Sequence, residues 1–198
     1  MAFQLVAGHP ALDFVNTLDW RFRATGAEEL LKTYDDLLRF TEQSKLLVPK
    51  QARDLRRTGS ASARARALDS CIQLREALAE VFYARFDGRT PSAASRGTLE
   101  RFFKAARSRQ KLSWQQTPRL EWKWADAPSN PELPLSLLAH SASDLMTSEA
   151  VQRVCECDSA ECRWLFLDTS KNHTRRWCDM KVCGNRMKAR RFKAQRKV

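Results

Sequence analysis

Several features that identify common classes of protein are missing from this 198-residue sequence. No apolar run approaches the roughly 20 residues that a helix needs to cross a bilayer, so we expect no membrane-spanning segment. The opening, MAFQLVAGHPALDF, has no basic segment before a hydrophobic one and does not indicate a signal peptide. The hydrophobic fraction of 43% is typical of a folded protein and argues against disorder. We therefore expect a cytoplasmic globular protein.

Sequence signatures of catalysis are also missing. We find no nucleophile elbow, no phosphate-binding loop and no dinucleotide fingerprint. We expect that the chain is not an enzyme.

Acidic residues are scarce in one part of the chain. From residue 171 to residue 198 there are eleven Lys and Arg but one acid, Asp179, whereas the preceding part has 24 basic and 22 acidic residues. A concentrated basic segment favours contact with nucleic acid, although a charged tail can also be merely solvated.

Residues 1–150 have helical patterns for most of their length. We expect helices that carry ALDFVNTLDWRF after Pro10, residues 28–45, a short segment after Pro49, ARARALDSCIQLREALAEVFYARF, residues 95–107 and residues 135–147. The sequence predicts a mainly α N-terminal domain with a small β-hairpin, 1–150, followed by a smaller C-terminal module, 151–198.

The hairpin is predicted from KLSWQQTPRLEWKWAD, where apolar and polar residues alternate around a turn that contains proline. The tryptophans of this segment have two interpretations. They pack into a core, which we favour, or they form a surface on which a ligand stacks.

Five of the six cysteines lie between Cys155 and Cys183, and four of them form two matched pairs. The spacing Cys157-x4-Cys162 and Cys178-x4-Cys183 suits zinc, which prefers four thiolates in a tetrahedron. A site that uses Cys155 or His173 is the first alternative, and a disulfide or redox pair is the second. RWLFLD can form one strand of a hairpin between the pairs, with HTRRWC returning as its partner.

The segment after the second cysteine pair predicts a basic helix. Gly184 suits a turn with positive φ, and Asn185 suits the cap of a helix that begins near Arg186. Two cysteine loops, a hairpin and this helix predict that the C-terminal module, 151–198, is a treble-clef-like zinc finger. One helical stripe then carries Arg186, Arg190, Lys193 and Lys197. The candidate nucleic-acid-binding residues are Arg175, Arg176, Arg186, Lys188, Arg190, Arg191, Lys193 and Lys197.

Polar residues of the first motif would share one face if ALDFVNTLDWRF were a continuous helix. This face gives the candidate ligand-binding residues Asp13, Asn16, Thr17, Trp20 and Arg21. The alternative is a structural network, in which Asp13 and Asn16 bond to buried backbone and Arg21 pairs with an acid.

The chain resembles a known family at both ends. CDSAECRWLFLDTSKNHTRRWCDMKVCGNRMKARR resembles the CGNR zinc finger, whose name is the tetrapeptide Cys183 to Arg186, and GHPALDFVNTLDWR resembles the start of the ABATE domain of bacterial stress-induced transcription regulators. The resemblance implies a helical ligand-sensing domain followed by a zinc module that binds DNA. The family's four cysteine positions correspond to Cys157, Cys162, Cys178 and Cys183, and Cys155 departs from its pattern.

We therefore expect a DNA-binding transcriptional regulator. Zn²⁺ is the expected cofactor, DNA and an unidentified small ligand are the expected partners, and a homodimer is left open. An RNA- or ribosome-associated protein is the alternative. An enzyme with its site in the N-terminal domain is less favoured, since a four-thiolate zinc has no open position for water.

Overall fold

The computed structural model describes residues 2–114, 119–125 and 130–196. The chain forms two compact units. Residues 31–144 form one, which we call the central unit; residues 1–30 together with 145–198 form the other, which we call the terminal unit. Both ends of the chain therefore belong to the same unit.

The central unit is a helical assembly with an apolar core. Its helices are α2 (Tyr34–Gln43), α3 (Pro49–Arg57), α4 (Ala61–Phe86), α5 (Ala93–Ser108) and α6 (Leu133–Met146), which ends just inside the terminal unit. Side chains cap several of the helices: Thr33 and Asp36 form a capping box on α2, and Ser60 and Ser92 cap α4 and α5. The long helix α4 buries Leu74, Leu78 and Phe82, as its helical spacing predicts.

The predicted hairpin is present in the central unit as β3 (Gln110–Trp114) and β4 (Leu120–Trp124). Leu112 pairs with Trp122, and Trp114 pairs with Leu120, so these side chains share one face. The expectation that the tryptophans pack in a core is wrong for two of them: Trp114 is 77% exposed and Trp122 is 63% exposed. The stacking surface stays a prediction.

The terminal unit begins with a helix shorter than its sequence pattern predicts. Helix α1 (Pro10–Val15) ends before Asn16, and the chain continues into β1 (Leu18–Asp19), which pairs antiparallel with β2 (Glu28–Glu29). The expected helix as far as Phe22 is therefore wrong. Asn16 and Thr17 are both buried, and their side chains hydrogen-bond to backbone groups. Side chains that bond to the backbone in this way favour the end of a helix over its interior.

The second part of the terminal unit contains short elements around the four cysteines. A 3₁₀ turn (Glu149–Arg153) leads to β5 (Val154–Glu156), which pairs antiparallel with β6 (Leu165–Leu167). A π-helical turn (Met180–Gly184) then leads into α7 (Asn185–Gln195). The expected return strand HTRRWC is wrong, because the partner of β6 precedes the first cysteine pair. Strand pairing, two cysteine loops and a helix nevertheless confirm the fold class.

The expected domain boundary near residue 150 stays a prediction. The two compact units meet at other positions, after residue 30 and after residue 144. Among the described residues, no helix is both long enough and apolar enough to span a membrane.

Candidate zinc centre and basic helix

The four cysteines of the two matched pairs converge on one point. The Sγ atoms of Cys157, Cys162, Cys178 and Cys183 all lie within 4.8 Å of one another, and all four residues are buried. Cys162 and Cys178 are 3.7 Å apart, and Cys178 and Cys183 are 3.6 Å apart. A tetrahedron with Zn–S bonds of about 2.3 Å has edges of roughly 3.8 Å, so the cluster fits zinc.

The thiols of the cluster shift one another's pKa values in opposite directions: hydrogen bonds to Cys157 raise the pKa values of Cys162 and Cys178. Hydrogen bonds from the thiols of Cys162, Cys178 and Cys183 lower the pKa of the Cys157 thiol, because they stabilise its thiolate. Zinc binds cysteine as thiolate and would complete that ionisation at all four ligands. With four protein ligands and no open position, the centre is structural.

Backbone geometry positions each cysteine pair. In the first pair, the Cys162 N–H donates to the Ser159 carbonyl over 2.8 Å, and Arg163 turns the chain with a φ of 47°. In the second pair, the Asp179 carboxylate accepts from the N–H groups of Lys181 and Val182. Asp179 therefore caps the π-helical turn. Asn185, which we expected to cap the helix that follows, is instead the first residue of α7.

The backbone conformation of Gly184 differs from the turn that we expected at this position. It is not among the residues with positive φ; a Cβ at this position would lie 2.2 Å from the Met180 sulfur and 3.3 Å from the Trp177 ring. Because the exposed Met180 side chain can move aside, the close packing favours glycine between the last metal ligand and α7 without requiring it.

The alternative ligands lie outside the cluster. Within the described chain, the grouping of possible metal ligands contains neither Cys155 nor His173. Cys155 is half-buried in β5 opposite Phe166, and His173 is exposed with a φ of 49°. No disulfide is formed, because all six cysteines are free thiols.

The candidate ligand-binding residues of the first motif contact backbone instead. The Asn16 amide donates to the Leu165 carbonyl and accepts from the Leu165 N–H, both over 2.9 Å. Asp13 accepts from the Ala7 N–H over 2.9 Å, and burial raises its pKa to about 6. The Thr17 hydroxyl donates to the Phe14 carbonyl. These contacts match the structural alternative for Asp13 and Asn16, while ligand binding stays a prediction.

The end of this motif reaches the residues beside the zinc ligands. The Trp164 indole donates to Asp19 over 3.0 Å, which joins the motif to the strand after Cys162. The Arg186 guanidinium lies 4.6 Å from the centre of the Trp20 ring, and the Arg23 guanidinium lies 3.4 Å from the same centre. Arg21 is half-buried. Sequence reasoning missed Asp19 and Arg23, which a motif search restricted to one helix face could not include.

The basic candidates before α7 differ in what they contact. Arg175 hydrogen-bonds to the carbonyls of Val6, Trp177 and Cys178 and lies 4.4 Å from the centre of the Phe166 ring. Because its guanidinium is bound to backbone within the terminal unit, the prediction that Arg175 contacts nucleic acid lacks support. Arg176 is exposed and pairs with Asp158 over 2.5 Å.

Helix α7 presents most of the remaining candidates. Lys188 and Lys193 are exposed, Arg190 pairs with Glu161 at 3.0 Å, and Arg186 is half-buried against Trp20. The side chain of Arg191 and all of Lys197 lie outside the described residues. The expected stripe is therefore only partly free of internal partners.

A buried four-thiolate cluster, flanked by a short sheet and followed directly by a basic helix, defines a zinc-finger protein. In agreement, the family model of the CGNR zinc finger matches residues 153–196. The model of the ABATE family, described as "Putative stress-induced transcription regulator", matches residues 8–149, and the chain belongs to this family. Both resemblances seen in the sequence are confirmed. No curated protein matches the chain.

Proposed function

We propose that the protein is a DNA-binding transcriptional regulator whose zinc centre fixes α7 against the rest of the terminal unit. The observation that carries this proposal is the position of α7, which begins two residues after the ligand Cys183 and exposes Lys188 and Lys193. A helix anchored in this way can present cations to phosphate groups with little loss of conformational freedom.

The ion pair of Arg190 does not remove this residue from the proposed surface. Arg190 and Glu161 are both substantially exposed, and exposed ion pairs contribute only about 0.2–1 kcal/mol. A phosphate group could replace Glu161 at small cost. The proposed contact residues are therefore Arg186, Lys188, Arg190 and Lys193, with Arg176 at the edge.

The proposal includes ligand sensing by the helical part of the chain, but it places the ligand away from Asp13 and Asn16. The central unit has a cleft of about 180 Å³ lined by Arg109, Trp124, Asn130 and Ser136. Its lining places a guanidinium, an amide and a hydroxyl beside an indole, groups that could orient a small polar ligand. Function is proposed to be binding rather than catalysis.

The test is selection of bound fragments from genomic DNA, with a parallel pool of structured RNA, at several salt concentrations. A sequence-specific regulator should enrich particular duplex sites, and its affinity should fall steeply with salt. The variant Lys188→Gln with Lys193→Gln should weaken binding and flatten the salt dependence, while Lys50→Gln with Lys104→Gln in the central unit is the charge-matched control. Preferential enrichment of RNA would identify the alternative partner, and no enrichment of either polymer would contradict the proposal.

A further inference from the structure

Two arginines of the terminal unit share one aromatic partner. Arg163, Arg176 and Arg190 each pair with a carboxylate, and Arg175 is bonded to carbonyl groups. Arg23 and Arg186 instead stack on the indole of Trp20. Neither has a carboxylate within ion-pair distance among the residues that the structure describes. Both guanidiniums are therefore held on the ring without a direct ion pair. Burial raises the pKa of the Asp19 carboxyl, and the charge of Arg23 acts on this group at longer range and opposes the rise.

Stacking prepares an arginine for anion binding. A guanidinium held against an aromatic face keeps the N–H groups at its edge available, and fewer rotamers are lost when an anion arrives. Trp20 has a φ of 52°, an unusual conformation for a large residue. Asp19 helps to fix this conformation, because it accepts from the Trp20 N–H over 2.7 Å and from the Trp164 indole.

A cleft gives access to this stack. It has a volume of about 320 Å³ and is lined by Gln4, Trp20, Trp164, Val182 and Arg186, together with three of the zinc ligands. Two carboxylates also line it, but both accept internal hydrogen bonds: Asp19 from Trp164, and Asp179 from Lys181 and Val182. Arg186 supplies the guanidinium of the cleft and forms no ion pair with either carboxylate, and it lies in the first turn of the helix that we propose contacts nucleic acid.

We propose that Arg23 and Arg186, held on Trp20, form a binding site for a phosphodiester group of nucleic acid. The inference rests on the proposed function and adds residues 18–23 to its interface. Trp20 is a positioning residue, since it contacts the two arginines and not the phosphate. The polar end of the first motif would then serve the same ligand as the zinc finger, rather than a separate small molecule.

The first experiment measures the affinity of the full chain for its selected nucleic acid as a function of salt. Each lost phosphate contact lowers the slope of log K against log salt by about 0.9 for duplex DNA. Arg23→Gln with Arg186→Gln should lower the slope by about one and weaken binding roughly tenfold. Arg53→Gln with Arg96→Gln removes the same charge from exposed residues of the central unit and should leave both the slope and the affinity near their wild-type values. Equal effects of the two double variants would overturn the proposal.

The second experiment observes the arginine Nε–H resonances by NMR. Ring currents of Trp20 should shift the Arg23 and Arg186 signals upfield, and Trp20→Leu should abolish both shifts, whereas Trp20→Phe should retain part of them. Zinc content of each variant reports whether the unit has folded. Trp20→Leu should also weaken nucleic-acid binding in a zinc-loaded protein; unchanged affinity would contradict a positioning role.

Failure of the site and failure of the proposed function give different results. Normal binding with an unchanged slope in the Arg23 and Arg186 variant rejects the site alone. A wild-type chain that binds neither DNA nor RNA rejects the proposed function, and the site as stated fails with it. Inorganic phosphate is the remaining probe: if it shifts the two resonances of that chain, the source of the anion is free phosphate and the nucleic-acid assignment is overturned.

Discussion

The two units of this protein are stabilised in different ways. The central unit buries leucine and phenylalanine side chains of long, capped helices, as in α4. Among the described residues of the terminal unit, short strands and turns outnumber helices by three to one. The interior of this unit includes four cysteines and polar residues such as Asp13, Asn16 and Asp168. The first unit depends on apolar area, and the second depends on metal coordination and on side chains that bond to backbone.

The two domains that the family models match are therefore not the same as the two units, each of which is stabilised in its own way. The ABATE match begins at residue 8, yet residues 8–30 share their hydrogen bonds with the zinc finger. Loss of metal should therefore affect a segment that the sequence assigns to the other domain. Each prediction below disturbs one unit and measures the other.

The largest effect should come from the zinc ligands. Cys178→Ser and Cys183→Ser should each lose zinc and unfold the terminal unit, because structural zinc contributes about 10–16 kcal/mol to folding of such modules. Hydrogen exchange should show loss of protection in residues 5–30 as well as 150–190, while α4 remains protected. Full zinc retention in both variants would contradict the four-cysteine centre, and protected residues 5–30 would contradict the shared unit.

A substitution in the core of the central unit should destabilise that unit and leave the zinc centre intact. Leu78→Ala removes a fully buried side chain from α4 and should destabilise the central unit by about 2–5 kcal/mol. Calorimetry should show the lower melting temperature, and zinc content should stay at the wild-type level. Gln73→Ala on the exposed side of the same helix is the control and should change stability by no more than about 0.5 kcal/mol. Zinc loss in Leu78→Ala would mean that the units do not unfold separately.

Asn16 tests the junction within the terminal unit. Asn16→Ala leaves the N–H and carbonyl of Leu165 without their side-chain partner in a buried position, at a cost of roughly 2–4 kcal/mol. Chelator titration should extract zinc from this variant at lower concentration than from the wild type. Asn172→Ala, in an exposed turn, should behave as the wild type. Equal zinc retention in the two variants would argue that the N-terminal segment does not support the finger.

The smallest effects should come from two Gly→Ala substitutions, which we expect to change stability in opposite directions. Gly184→Ala places a Cβ against the Trp177 ring and the exposed Met180 side chain, which can move aside, and should cost about 1 kcal/mol in the terminal unit. Gly97→Ala, in α5 with open space around the new Cβ, should instead stabilise the central unit by about 0.5–1 kcal/mol. Urea unfolding of both variants measures the two signs, and destabilisation by Gly97→Ala would contradict the packing described for α5.

Features that depend on local pattern were predictable from the sequence. The cysteine spacing identified all four metal ligands, α4 follows from its apolar period, and alternation placed β3 and β4. In each case neighbours in the sequence supply the signal: ligand spacing, a helical stripe or alternate faces.

Features that depend on distant partners were not predictable. The bonds between Asn16 and Leu165 join residues 149 positions apart, so the motif resembled a continuous helix with a polar face. Arg175 was assigned to the surface because of its charge, but carbonyls that the cysteine loops bring together accept its hydrogen bonds. The exposure of Trp114 and Trp122 likewise depends on which elements pack beside the hairpin, and alternation does not encode this.

The division of the terminal unit between both chain ends has a consequence for biosynthesis. A ribosome adds about 5–20 residues per second, so roughly 10–30 seconds separate the synthesis of α1 from that of Cys183. During this interval Leu12 and Phe14, which are fully buried in the finished protein, lack the strand and metal loops of their own unit. Helix α1 is therefore made well before the last metal ligand that its unit needs, and we expect the waiting nascent chain to present an apolar segment to chaperones.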